Sequence, residues 1–310
     1  MDAVAALLDG PRARDAFVLR TTMAPPWALR IDDEAPFTLL SVARGSAWVS
    51  LPDDDPVELH PGDVALLPWT GPYEVADPPG TTATAVILPG ERCQTLSGEP
   101  LDQTMRHGLR TWGNDPDGGD VLLVGTYTRR SAVSDRLLEA LPPLAVVPAD
   151  GFDVPLLPVL EHELGRDAMG QGVVLDRLLD LVLAAALRAW FAAPGAHPPA
   201  WYRAMGDPVV GSALRLLHDE PERPWTVASL ASAVGISRAG LARRFTDLVG
   251  EPPMGYLTEW RLTLAADLLR APQASVASVA ASVGYSNPFA FSTAFKRRHG
   301  VSPRQHALAG

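Results

Sequence analysis

Short hydrophobic runs alternate with polar turns over the first part of the chain, from Phe17 to Tyr127. The runs include FVLR, WALRI, FTLLSV, SAWVSL, DVALLP and ATAVILP, and clusters of Gly, Pro and Asp separate them. Strands of an antiparallel sheet show this spacing, so the pattern predicts a β-barrel or sandwich. Within it, SAWVSL leads through the turn PDDDP into VELHPGDVALLP, which predicts a meander.

The spacing of hydrophobic residues becomes that of a helix after a Pro-rich passage, LPPLAVVPADGFDVPLLP. Residues Val173 to Ala193 place charged side chains on one broad side and Leu, Val and Ala elsewhere, which predicts an amphipathic helix. Two interpretations of this helix remain open: it packs on its own barrel, or it forms a dimer interface. The following PGAHPPAW, from Pro194 to Trp201, cannot continue the helix and predicts a linker between two domains.

Two segments beyond the linker resemble each other at an offset of 49 residues. TVASLASAVGIS begins at Thr226 and SVASVAASVGYS begins at Ser275. Each starts with a hydroxyl side chain that can cap a helix, continues as a short Ala-rich helix and ends at a glycine, Gly235 or Gly284. Because glycine readily adopts the left-handed conformation that ends a helix in a tight turn, each segment predicts the first helix of a helix-turn-helix.

A second helix is expected after each turn. Ser237 caps RAGLARRFTDLVG and Asn287 caps PFAFSTAFKRRHG, and apolar pairs spaced by four residues face inward in both helices. These pairs are Leu241 with Phe245 and Phe291 with Phe295. The opposite faces point outward and are candidates for contact with a DNA groove. They carry Arg238, Ala242, Arg243 and Thr246 in the first helix and Pro288, Phe289, Ser292, Thr293 and Lys296 in the second.

A connecting helix is predicted between the two units. The segment PPMGYLTEWRLTLAADLLR starts at a proline pair and keeps Leu257, Trp260, Leu264 and Leu268 at helical spacing. A helix of about 17 residues spans roughly 25 Å, and consecutive major grooves on one face of B-DNA lie about 34 Å apart. One monomer is therefore expected to reach adjacent turns of DNA with its two recognition helices.

The distribution of charge supports this division. The net charge of the 310 residues is −10, which by itself argues against contact with phosphates. From Asp207 onward, however, 11 basic residues stand against 8 acidic ones, a net charge of +3, and the preceding part carries −13. Phosphate contacts are therefore expected in the C-terminal part. That part opens with Asp207 as N-cap and Pro208 at the first position of a helix that ends near Glu220.

Composition also argues against several other classes. No stretch reaches the roughly 18 charge-free apolar residues of a membrane span, and the start of the chain lacks the basic and apolar regions of a secretory signal. Cys93 is the only cysteine, so no intramolecular disulfide can form, and we expect a structural thiol. These features predict a cytoplasmic protein with no membrane partner.

Residues from about Asp207 to Leu308 resemble the DNA-binding domain of AraC-type regulators. The stretch GYSNPFAFSTAFKRRHGVSPRQH is similar to the most recognisable part of that family. The resemblance implies that both recognition helices enter the major groove of double-stranded DNA, and that an activator would also contact RNA polymerase. The resemblance also implies that Gly240 is one of the positions that face the bases, and that Arg243 is the candidate for bidentate contact with guanine. The residues expected at phosphates or in solvent are Arg244, Lys296, Arg297 and Arg298.

Several reading positions differ from those of more polar relatives. Ala239, Gly240 and Ala242 in the first helix, like Pro288 and Phe289 in the second, supply few hydrogen bonds to bases. We therefore expect methyl contacts and the shape of the DNA to contribute to specificity.

The β-region resembles a cupin barrel through LHPGDVALLPWTGPYEV, from Leu59 to Val75. A metal-binding cupin would place a His pair and a Glu in its first motif and a His in its second. Here Tyr73 stands at the second position, FTLLSV holds no His, and His60 is interpreted as a surface residue. We expect no metal and no other cofactor, but a cavity suited to a small effector. The candidate lining residues are Trp27, Arg30, Trp48, Trp69 and Tyr73.

The sequence therefore predicts an α+β protein of two domains. Residues 1–193 form a cupin-like β-barrel with helices that binds an effector and dimerises, and residues 194–206 form a linker. Residues 207–310 form an all-α domain of two helix-turn-helix units joined by a connecting helix. The favoured function is a sequence-specific transcription regulator that responds to an effector, acts as a homodimer and is not an enzyme. Two alternatives remain open: a cupin enzyme fused to a DNA-binding module, and a regulator whose barrel only dimerises.

Overall fold

The computed structural model describes residues 16–128, 132–152, 155–271 and 273–308. Contacts within the chain divide it into two compact units. The described residues of the first, the sheet unit, are 16–128, 141–152 and 155–196. Those of the second, the helical unit, are 132–140, 197–271 and 273–308.

The sheet unit contains twelve described strands. They are β1 (Ala16–Met23), β2 (Trp27–Ile31), β3 (Phe37–Arg44), β4 (Ala47–Ser50), β5 (Val57–Leu59), β6 (Val64–Leu67), β7 (Tyr73–Asp77), β8 (Ala85–Leu88), β9 (Arg92–Thr95), β10 (Thr111–Trp112), β11 (Asp120–Tyr127) and β12 (Ala145–Val147). A short helix, α1 (Ala132–Leu138), lies in the chain between β11 and β12 but belongs to the helical unit.

The strands form two six-stranded sheets. One has the order β10-β1-β11-β3-β6-β12 and the other the order β5-β4-β7-β2-β8-β9. Apolar side chains from both sheets form one core, which includes Trp27, Leu40, Val49, Leu67 and Val75. The predicted β-rich cupin fold is confirmed, although the two sheets do not close into one barrel.

The predicted meander is wrong in its second half. β4 and β5 form the expected hairpin, in which Ala47 pairs with Leu59, but β6 joins β3 in the other sheet. Asp63 holds the turn between β5 and β6: one carboxylate oxygen accepts a hydrogen bond from the His60 N–H at 2.8 Å, and the other accepts from the Ala149 N–H at 3.0 Å. Alternation along a strand has the same period in both sheets, so it does not specify which sheet the strand joins.

Two helices pack on the sheet unit, α2 (Leu156–Leu164) and α3 (Gln171–Ala192). The bounds of α3 confirm the helix predicted over 173–193. It approaches β11 closely because Gly125 has no side chain: a Cβ there would lie 2.6 Å from Cδ1 of Leu179. Val173, Val174 and Leu181 of α3 remain exposed.

The helical unit continues with eight further helices. They are α4 (Ala200–Ala204), α5 (Val210–Asp219), α6 (Val227–Ala233), α7 (Arg238–Val249), α8 (Pro253–Leu268), α9 (Val276–Ser282), α10 (Pro288–His299) and α11 (Pro303–Leu308). They confirm the predicted all-α region, in which α6–α7 and α9–α10 are the helix-turn-helix units and α8 connects them. Apolar side chains of α8, α9 and α10 share one core.

The start of this unit differs in detail from the prediction. α4 lies inside the stretch 194–206 and packs on α7, and its Trp201 is buried. α5 begins at Val210 rather than Pro208. Asp207 nevertheless caps it, because Oδ1 accepts hydrogen bonds from the N–H groups of Val209 and Val210 at 3.0 and 2.9 Å.

Candidate nucleic-acid interface

The first helix-turn-helix is built on two capped helix starts. Thr226 and Ser229 form a capping box at the start of α6, in which each side chain accepts a hydrogen bond from the backbone N–H of the other. Gly235 in the turn has φ +75°. Ser237 then caps α7 by accepting from the N–H of Gly240 at 3.1 Å. These contacts turn the chain sharply and leave α7 with one face free.

The second helix-turn-helix repeats the same devices. Ser275 caps α9 by accepting from the N–H of Ser278 at 3.0 Å, and Gly284 in the turn has φ +82°. Asn287 caps α10 by accepting from the N–H of Phe289 at 2.8 Å. The repeat in the sequence is thus a repeat of local structure.

The inward and outward faces of α7 and α10 are as expected. The inward pairs, Leu241 with Phe245 and Phe291 with Phe295, are fully buried. Phe289 lies on the outward side and is 84% exposed, the largest apolar surface on either recognition helix. The other exposed predicted residues are Arg238, Arg243, Thr246, Pro288, Thr293, Lys296 and Arg297, and the half-buried ones are Gly240, Ala242 and Ser292.

Ion pairs divide the basic residues of these helices into two groups. Arg244 on α7 donates to Oδ2 of Asp207 from Nη2 at 2.6 Å and from Nε at 3.1 Å. On α10, Arg298 donates from Nε to Glu259 of α8. Both arginines therefore connect a recognition helix to its own scaffold. Within the described ranges, no ion pair holds the other four basic side chains, which are Arg238, Arg243, Lys296 and Arg297.

Arg261 on α8 joins the two helix-turn-helix units. Its Nε donates to the carbonyl of Pro221 at 2.6 Å and its Nη2 to that of Arg223 at 2.8 Å, both in the segment that leads into the first unit. The turn of the second unit lies against the same place: a Cβ at Gly284 would lie 2.7 Å from Nη2 of Arg261 and from the carbonyl oxygen of Glu222. Gly284 is therefore required by close packing as well as by its positive φ.

The segment that contains α1 packs on the connecting helix. The N–H of Ala132 donates to Oδ1 of Asp267 at 2.7 Å, and the guanidinium of Arg136 lies 5.2 Å from the centre of the Tyr256 ring, in cation–π range. The Tyr256 hydroxyl in turn lies 2.7 Å from Nε2 of the buried His218 on α5. Burial, and then the charge of Arg136, lower the pKa of His218 to about 3.

These connecting contacts could not be predicted from the sequence. Arg261 binds backbone carbonyls, and no residue type in the sequence marks such an acceptor. Asp207 and Arg244 lie 37 positions apart, and Glu259 and Arg298 lie 39 positions apart. Both separations are far longer than the three or four residues that bring side chains together on one helix. Ion pairs between different helices therefore leave no local pattern in the sequence.

A separate cavity lies in the sheet unit, with a volume of about 660 Å³. Side chains of both sheets line it, and most of them are apolar. Cys93 is part of the wall, where burial and the nearby charge of Asp102 raise the pKa of its thiol to about 12. Tyr73 is the one predicted effector residue among the described lining residues.

The other four predicted effector residues lie elsewhere. Trp27 is in the core, where its indole N–H donates to Oδ2 of Asp120 at 2.7 Å. Trp69 is half-buried against the same core and donates to the carbonyl of Pro72. Trp48 is half-buried in β4, and Arg30 is exposed in β2. In the described ranges, no group of three His, Cys, Asp or Glu side chains is arranged to hold a metal ion, and no helix is long and apolar enough to cross a bilayer.

Family models match both parts of the chain. Residues 2–192 match a cupin model and residues 230–307 match a helix-turn-helix domain model. Putative AraC-like transcription regulators of Streptomyces lividans and Streptomyces antibioticus are each 33% identical to this chain. The first match covers 89% of this chain and 88% of the relative, and the second covers 91% of each.

Among solved structures, the DNA-binding domain of AdpA, a global transcriptional factor in complex with a target DNA, is 31% identical to this chain. That match covers 34% of this chain and 93% of the other, with a TM-score of 0.32. The extent and identity of the matches to the Streptomyces regulators decide the assignment. The chain belongs to the AraC family of DNA-binding transcription regulators and carries a cupin domain in its N-terminal part.

Proposed function

We propose that the chain binds operator DNA with α7 and α10 in adjacent stretches of the major groove. The observation that carries this proposal is the division of basic residues: Arg244 and Arg298 are held in ion pairs, whereas the outward cations of both helices are not. The sixteen residues of α8 span about 24 Å, which suits two helices that reach neighbouring turns. The proposed contact residues are Arg238, Gly240, Ala242, Arg243, Thr246, Pro288, Phe289, Ser292, Thr293, Lys296 and Arg297.

Different residues of this set have different roles. Arg243 presents two parallel donors and reads guanine, because only that base offers two acceptors on its major-groove edge in matching geometry. Phe289 contacts thymine methyl groups with its exposed ring. Lys296 and Arg297 neutralise phosphates, which adds affinity without base preference.

Selection of bound sequences from a random DNA pool tests this proposal with the full chain. We expect enrichment of a site with two conserved elements about one helical turn apart. Enrichment of a single short element would mean that only one helix-turn-helix reads bases. A pool that stays random, with binding unaffected by salt, would contradict the proposal.

The sheet unit is proposed to bind a small effector and to form a homodimer. A cavity of about 660 Å³ is in the size range of small-molecule sites. The exposed Val173, Val174 and Leu181 of α3 form an apolar surface that a second copy would cover. A monomeric sedimentation profile of the wild-type protein at micromolar concentration would argue against the dimer. The Leu181→Glu variant is expected to be more monomeric than the wild type.

The segment 132–140 offers a route from the cavity to DNA. β11 contributes Leu122, Val124 and Thr126 to the cavity wall, and α1 begins five residues after β11 ends. α1 packs on α8, which positions both recognition helices. We infer that effector binding acts on α8 through α1. Arg136→Ala, which removes the contact with Tyr256, is expected to reduce the effect of an effector on DNA affinity.

We propose a cytoplasmic regulator rather than the alternative, a cupin enzyme fused to a DNA-binding module. An activator of this kind would have RNA polymerase as a further partner. Elemental analysis of the purified full chain distinguishes the two functions. We expect no stoichiometric transition metal, and about one tightly bound metal per chain would favour the enzyme.

A further inference from the structure

Among the described residues that line the cavity of the sheet unit, Asp33 is the one charged side chain that is half-buried. Asp33 follows β2 and lines the cavity together with the apolar side chains of Leu29, Ile31 and Val75. Oδ1 of its carboxylate accepts a hydrogen bond from the N–H of Ala35 at 3.0 Å. Burial raises the pKa of Asp33 above its usual range.

Asp33 has no cationic partner among the residues that the structure describes. The charge of the neighbouring Asp32 also raises its pKa. Tyr73 belongs to the same wall, and the charge of Asp33 acts on its hydroxyl. A carboxylate removed from water without a counter-ion is costly, so this end of the cavity is suited to a positive charge or a strong hydrogen-bond donor.

The other charged side chains of the described lining are exposed: the carboxylates of Glu34, Glu91 and Asp102 and the guanidiniums of Arg92 and Arg106. The two guanidiniums are also held by their own loops. Arg92 donates from Nε to the carbonyl of Pro89 at 3.2 Å, and Arg106 donates from Nε to that of Gly108 at 3.3 Å. Charges in solvent contribute little to binding. The half-buried Asp33 is therefore the charge that a bound molecule meets where water is scarce.

We propose that this cavity binds a molecule with an apolar body and one protonated amine, with Asp33 as the counter-ion of that amine. This proposal rests on the proposed effector function and specifies the chemical class of the effector. The apolar walls bind the body of the ligand, and the amine donates to the carboxylate of Asp33. A ligand with a carboxylate at the same position would meet repulsion from Asp33.

A matched series of probes tests the proposal on the full chain. Naphthylethylamine, naphthylethanol and naphthylacetate share an apolar ring system and differ in the charge of the end group. Calorimetric titration and thermal unfolding are expected to rank the amine first, the alcohol second and the acid last. Acid binding equal to or tighter than amine binding would overturn the proposed ligand class.

Two substitutions locate the interaction. Asp33→Asn is expected to weaken amine binding about ten- to hundred-fold, as the loss of a hydrogen bond to a charged group does, and to leave the alcohol unchanged. Glu34→Gln is the control, since Glu34 is an exposed neighbouring carboxylate at the same cavity and should leave the amine affinity unchanged. Equal loss in both variants would contradict the role of Asp33. If Asp33→Asn does not fold, the ranking of the three probes on the wild type decides.

Failure of this proposal differs from failure of the proposed function. DNA binding is measured on the same preparation by mobility shift. Normal DNA binding with no preference for the amine would overturn the ligand class alone. Absence of DNA binding would contradict the proposed function whatever the probes do.

Discussion

Nη2 of Arg244 lies 2.6 Å from Oδ2 of Asp207, and this ion pair ties recognition helix α7 to the start of α5. The neighbouring Arg243 is exposed and has no such partner in the described part of the chain. Arg244 is thus held against α5. The adjacent Arg243 is the arginine that we propose contacts DNA.

Arg243→Ala is expected to relax base choice at one operator position. The bidentate hydrogen bonding to guanine that this variant cannot make is worth about 1–3 kcal/mol of discrimination, and Ala242 and Gly240 offer no replacement donor. Selection of bound sequences with the variant measures the effect. Arg244→Ala is the matched control and should keep the wild-type preference while lowering the free energy of unfolding by about 1 kcal/mol. Uniform weakening by Arg243→Ala, with unchanged preference, would make Arg243 a phosphate contact.

Arg297→Ala is expected to weaken binding to all DNA sequences alike. Removing one cation that neutralises a phosphate reduces the slope of log affinity against log salt by about 0.9, so a titration at several salt concentrations detects it. Arg298→Ala provides the comparison, because Arg298 is paired with Glu259. If Arg298→Ala lowered the salt slope as much as Arg297→Ala did, both arginines would contact phosphates, and the ion pair with Glu259 would not keep Arg298 from DNA.

Gly284→Ala is expected to destabilise the protein more than Gly235→Ala. Both glycines have a positive φ, which costs a residue with a side chain about 1–2 kcal/mol. A Cβ at Gly235 would meet no atom within 4 Å, whereas one at Gly284 would meet Arg261 and the carbonyl of Glu222 at 2.7 Å. Urea unfolding midpoints of the two variants give the comparison. Equal midpoints would mean that Arg261 and the carbonyl of Glu222 move away from the added Cβ without a loss of stability.

Stability is expected to fall as the pH decreases from about 6.5, through His218. Its pKa is about 3 in the folded chain and 6.5 when unperturbed, so the unfolded chain binds a proton that the folded chain does not. The contribution of this group is complete above pH 6.5 and is lost towards pH 3 by up to about 1.4 kcal/mol per pH unit. His218→Gln should reduce the pH dependence of the free energy of unfolding. An unchanged pH dependence in the variant would show that other groups account for it, such as the carboxylates and His299, whose pKa burial also lowers.

Local patterns predicted much of this structure, and long-range partners account for what they missed. Caps at Thr226 and Ser275 and glycines at the turns are local signals, so both helix-turn-helix units could be read directly. The turn at Asp63 and the ion pair of Arg244 depend on residues 86 and 37 positions away, which periodicity does not report. Aromatic content led to Trp27 as a cavity residue, whereas its indole is engaged with Asp120 in the core.

Segment 132–140 limits how this regulator can be recombined with its relatives. A chimera that exchanges only the residues after the linker would leave α1 facing a connecting helix with which it did not evolve. The half-buried Arg136 would then keep or lose its ring contact according to the residue that replaces Tyr256. Interchangeable modules of this chain are therefore discontinuous, and a working hybrid is expected to need α1 transferred together with the helices that follow residue 196.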